Sequence, residues 1–98
     1  MRKKRRLPHE LLAIGLCRQA LARDVYGTAI SPHSRHAASW CFMGAATATL
    51  PRKEVERFTD AVAAITGHDA TQFNDYVCRT KRQAVAVAKK AERAMGLI

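Results

Sequence analysis

The chain has 98 residues, 48% of them hydrophobic and only 6% aromatic, and a formal net charge of +9. That length predicts one domain with a modest core, and an Ala-rich, aromatic-poor composition speaks against a β-sandwich. No apolar run reaches the roughly 18 residues that span a bilayer, and Pro8, His9 and Glu10 interrupt the basic start, so neither a membrane partner nor a secretory signal is expected.

Residues 1–7 predict a disordered basic arm, because like charges repel and little there can enter a core. Residues 8–98 then form a single helical domain. Pro8 suits a first helical turn, and Leu11, Leu12, Ile14, Leu16, Cys17, Ala20 and Leu21 supply a broad apolar face, so a helix is predicted over 8–22. Asp24 and Gly27 mark a turn. The segment 25–30 is the only strand candidate, and it is short. Ser31-Pro32 and Ser34 signal a second helix, over 33–49, with Ala37, Cys41, Gly44 and Ala48 on one stripe and Trp40 at its edge. Pro51 ends it. Val55, Phe58, Val62 and Ile65 give the third helix, 52–66, an amphipathic stripe, and Gly67 is placed for a left-handed cap. Residues 68–79 read as a polar connector with buried anchors expected at Phe73 and at Tyr76 or Val77. Thr80 and Gln83 form a capping box for a fourth helix, 81–95, which turns Ala84, Val87, Ala88, Ala91 and Met95 inward. The expected fold is all-α, a compact four-helix domain.

The charge is unevenly distributed. Arg2, Lys3, Lys4, Arg5 and Arg6 give the first six residues +5, residues 79–98 carry another +5, and the middle is at −1. Clustered cations attract polyanions, whereas scattered ones mainly confer solubility. In an up-down bundle the start of the first helix lies beside the end of the last, so the arm and the Arg82, Lys89, Lys90 and Arg93 patch would share one surface.

Several motifs follow in order: A-R-D-x-x-G at 22–27, S-P-x-S-x-x-A-x-x-W-C-x-x-G-A at 31–45, and F-N-D-x-x-x-R-T at 73–80. Over about residues 10–95 this pattern resembles the bacterial and phage domain-of-unknown-function family numbered six-one-nine-seven. The resemblance implies a small stand-alone intracellular protein of phages and mobile elements, with no established activity. It makes Trp40, Cys41, Gly44, Asn74, Asp75, Arg79 and Thr80 family-motif positions, with a structural or ligand-binding role. Gly15-Leu16-Cys17-Arg18-Gln19 stands where comparable members carry a Trp ahead of a Gln, and the basic arm is an addition.

The residues themselves support little catalysis. Cys41 would need a lowered pKa and a nearby base to act as a nucleophile; placed mid-helix, it reads as a small buried apolar residue. His33, His36, Cys41 and Cys78 lack the ligand spacing of a zinc site. Asn74-Asp75 before a capped helix reads as turn chemistry. No carboxylate pair, phosphate loop or triad order is present, so no enzyme activity and no cofactor are expected. Cys17, Cys41 and Cys78 are widely spaced, as in a reduced cytoplasmic protein, with the host's cytoplasm implied if a phage encodes it. The reading is a non-enzymatic accessory protein that holds nucleic acid by backbone contacts. The alternative is a protein-interaction module, such as a phage-encoded inhibitor of a host or defence protein, docking on an acidic or nucleic-acid-binding protein. A small-ligand binder using Trp40, Phe73, Asn74 and Asp75 ranks third. Ala-rich helices that pair closely leave a homodimer open.

Overall fold

The computed structural model describes residues 6–98, and Met1, Arg2, Lys3, Lys4 and Arg5 lie outside them. Among the described residues the order is α1 (Pro8–Ile14), β1 (Ala22–Arg23), β2 (Ala29–Ile30), β3 (Ser39–Trp40), α2 (Phe42–Thr49), α3 (Arg52–Thr66), α4 (Ala70–Gln72), a π-helical turn (Phe73–Val77) and α5 (Lys81–Ala94). The expected all-α four-helix bundle is thus corrected: a three-stranded antiparallel sheet occupies the first half, and the short α4 with its π turn replaces the polar connector.

Local chemistry explains each departure. The first helix stops at Ile14 because Gly15 takes extended backbone, φ −170° and ψ 140°. A Cβ there would lie 2.4 Å from the Ala38 carbonyl oxygen. The chain instead runs beside β3: Trp40 N donates to Gly15 O at 3.0 Å and Cys17 N donates to Trp40 O at 3.0 Å. Leu16 therefore bridges to Trp40 and residues 18–21 form bends, rather than continuing a helix face. The second helix begins at Phe42, not 33, because the serines cap turns. Ser31 Oγ accepts from His33 N and Ser34 Oγ from His36 N, at 3.2 and 3.1 Å. Serine side chains compete for backbone donors in this way, and here the turns win over the helix.

The sheet order is β2-β1-β3, with Ala22 opposite both Ile30 and Trp40. Only 29–30 of the expected strand segment pairs; 24–28 form the hairpin turn, with Gly27 at φ 84°. The second half follows the sequence closely. α3 has the predicted bounds and ends at Gly67 in the left-handed region, φ 76°. α5 is capped by Thr80, whose side chain accepts from Gln83 N at 3.1 Å. Gln83 reaches back to donor N–H of Arg79 at 3.0 Å, one residue before the cap.

The core centres on Leu12, Phe42, Phe58, Val62 and the alanine stripe Ala84, Ala88 and Ala91. Small residues on α5 let it pack on both α1 and α3. Phe42 and Phe73 meet edge to face with centroids 5.8 Å apart, which is a favoured aromatic geometry. No helix among the described residues is long and apolar enough to cross a membrane.

One buried amide ties three segments together. Asn74, 1% exposed, accepts from Phe42 N at 3.1 Å and donates to Cys17 O at 2.9 Å. Replacing Asn74 by Ala leaves a buried donor and a buried acceptor unpaired, so urea unfolding of Asn74→Ala should show a loss of about 3 kcal/mol with an unchanged m-value. Gly44→Ala should also destabilise, by about 1–3 kcal/mol or more, because its Cβ would fall 1.8 Å from the Leu21 carbonyl oxygen.

Candidate functional site

Two regions compete for function: the cleft around the family-motif residues and the basic surface of α5.

The cleft has a volume of about 330 Å³ and is lined by Leu21, Cys41, Phe42, Met43, Asn74 and Asp75 among others. Trp40 and Phe73, grouped with it in the sequence reading, are buried in the core and do not line it. Trp40 sits in β3, with its indole N–H donating to Pro32 O at 3.1 Å. Cys41 is not mid-helix. It is the N-cap of α2, and its sulfur accepts from Gly44 N at 3.2 Å. Ala37, expected on the same helical stripe, lies before β3 in extended chain.

An N-cap position draws a thiol toward ionisation, yet burial pushes the Cys41 thiol above its ordinary value. The Gly44 N–H pulls it down by less, and neighbouring Cys17 and the Asp75 carboxylate push it further up. Burial likewise raises Cys17 and Cys78. Asn74 and Asp75, two further polar groups of the cleft, are already engaged. Asn74 holds α2 and the 15–21 loop, and Asp75 Oδ1 accepts from Gln19 N at 3.0 Å and from Asn74 Nδ2 at 3.0 Å. That contact accompanies the positive φ of Gln19, 61°. Among the described residues no three His, Cys, Asp or Glu side chains gather as a metal site requires. His33 and His36 lie in separate turns.

The second region is built by α5. Arg82, Lys89, Lys90 and Arg93 are all exposed, as are Arg79 and Lys81 before them. Arg82, Lys89 and Arg93 share one face with exposed Ala86, at helical spacings of 4, 3 and 4. With a rise of 1.5 Å per residue, this stripe runs about 16 Å. The only acid of the last twenty residues, Glu92, is 0% exposed. Its carboxylate meets the start of α1: His9 N donates to Oε2 at 2.9 Å, and His9 Nδ1 lies 2.5 Å from Oε1. This is the one ion-pair geometry among the described residues. It fixes His9, three residues after exposed Arg6, at the last turn of α5. The bundle topology expected to set the first helix beside the last is not the one the chain has; α1 and α5 are joined by a buried carboxylate instead, and the arm residues Arg2, Lys3, Lys4 and Arg5 lie outside the described residues. Glu92 had no signal in the sequence beyond its place on the inward arc, next to Ala88 and Ala91.

No family model, curated protein or solved structure matches the chain.

A thiol held protonated is a poor nucleophile. Cys41 should therefore react with iodoacetamide at neutral pH more slowly than free cysteine, and its rate should still be rising where free cysteine has levelled off. Peptide mapping by mass spectrometry after timed alkylation reads this directly.

Proposed function

We propose that the protein is a non-enzymatic accessory protein of the phage or mobile-element type that binds nucleic acid through phosphate contacts. It works in the cytoplasm, that of the host if a phage encodes it. The observation that carries this reading is the inward turn of Glu92. With that acid buried against His9, the outer face of residues 79–93 presents six cations and no exposed carboxylate. Repulsion among like charges on one helix costs stability, so a cationic stripe without acidic partners is an arrangement that a polyanion relieves.

The mechanism is counterion release. Each phosphate neutralised by Lys or Arg frees condensed cations from the nucleic acid, and affinity falls with salt in proportion to the number of such contacts. Arg82, Lys89, Lys90 and Arg93 supply a rigid array, because α5 is fixed along its other face by Ala84, Ala88 and Ala91. Arg2, Lys3, Lys4, Arg5 and Arg6 add five charges in the chain that precedes α1. Those contacts position a backbone and carry no base readout.

Fluorescence anisotropy with a labelled oligonucleotide, titrated across a potassium chloride series, tests the reading. The wild type should show a steep negative slope of log K against log salt. Replacing Lys89, Lys90 and Arg93 together by Ala should flatten it by roughly 2 units, and deleting residues 2–6 should flatten it further. Absence of binding at low salt overturns the proposal.

A further inference from the structure

Tyr26 is 89% exposed and Tyr76 is 76% exposed. Such exposure is unusual for an aromatic ring in a chain with so few, and neither residue lies on the basic termini. The fold nevertheless links both to arginines. Tyr26 stands at the tip of the β1–β2 hairpin, and that turn is stapled from several sides. Asp24 Oδ1 accepts from Tyr26 N and Thr28 N, at 2.9 and 3.0 Å. The Arg23 guanidinium donates to Gly27 O at 2.8 Å and to Arg18 O at 3.0 Å. Arg18 in turn donates to Cys78 O at 2.7 Å, and Gln19 N donates to Asp75 beside Tyr76. A run of hydrogen bonds thus joins the hairpin tip, two arginines and Cys78 at the end of the π turn, and exposed Arg79 follows Cys78 in the chain.

Arg18 and Arg23 are held by neutral carbonyl oxygens, which fix their positions and leave their charges in place. Asp24 and Asp75 keep their charges too, but each has an oxygen turned to backbone N–H groups and, for Asp75, to the Asn74 amide. Exposed rings on a stapled backbone, with anchored guanidinium groups bonded to neighbouring residues, offer what an unpaired base and its phosphate require: a π-face to stack on and a cation nearby. A duplex keeps its bases stacked internally and offers no face to such rings.

We propose that Tyr26 and Tyr76, with Arg18, Arg23 and Arg79, form a stacking surface for single-stranded nucleic acid that continues the cationic stripe of α5. This rests on the phosphate-binding reading above and extends it by naming the strand state and the side chains that sense it.

The test compares a short labelled oligothymidine with the corresponding duplex, both by anisotropy at low salt. The expected result is tighter binding of the single strand. Tyr26→Ala and Tyr76→Ala should each weaken it by about fivefold or more, with duplex affinity and the salt slope unchanged. Tyr26→Phe should retain stacking. Both rings are exposed, so these variants keep the fold. If the Ala variants bind the single strand as well as the wild type does, while the Lys89, Lys90 and Arg93 triple variant still weakens it, the stacking surface is overturned and the phosphate reading survives. If polyglutamate displaces the oligothymidine as well as unlabelled oligothymidine does, the surface serves an acidic protein and the inference is wrong. If wild type binds neither nucleic acid, both readings fall.

Discussion

A carboxylate removed from water must be met by donors, and the way Glu92 meets that requirement organises the molecule. Burying such a group unpaired costs several kcal/mol, so the start of α1 has to be where its oxygens are. The backbone N–H and ring of His9 satisfy them. The contact spans 83 positions in sequence. It closes the fold end to end, joining the first turn of α1 to the last turn of α5. It also removes the one negative charge from the outer face of α5. Fold and surface charge therefore depend on the same pair of side chains.

Asn74 plays the corresponding part on the other side of the core. Its amide serves Phe42 N at the first turn of α2 and the carbonyl of Cys17 in the loop after α1. The wider π turn at 73–77 accompanies this placement. Gly44 completes the junction, since only a residue without a side chain tolerates the Leu21 carbonyl so close. Cys41, Gly44, Asn74 and Asp75 are thus engaged in holding α2 against the 15–21 loop. The cleft they line is a consequence of that joint, with Asn74 and Asp75 spent on backbone groups and on one another and its thiol held protonated.

How much of this was legible from the residues divides at α2. α3 and α5 were readable because their apolar positions recur at helical spacing and their ends carry ordinary caps: Gly67 and Thr80. The first half was not, because Leu16 to Leu21 and Ser31 to Trp40 satisfy helical periodicity and helix-start signals equally well in extended chain and turns. What decides there is nonlocal. Gly15 must pass the Ala38 carbonyl, and Trp40 must pair on one side with Ala22 and on the other with Gly15 and Cys17. Tertiary pairing of that kind overrides local propensity. The basic termini were legible as a count of charges, whereas the direction of Glu92 and the union of Tyr26 and Tyr76 with Arg18 and Arg23 exist only in the folded chain.

The central claim, that the outer face of α5 is where this protein meets nucleic acid, is tested most directly by NMR chemical-shift mapping on the full chain titrated with an oligonucleotide at low salt. The account predicts perturbations at Arg82, Ala86, Lys89, Lys90 and Arg93, with the amides of Phe42 and Met43 in the cleft unmoved. Perturbations confined to Leu21, Cys41, Phe42 and Asp75, or none anywhere on α5, would contradict it.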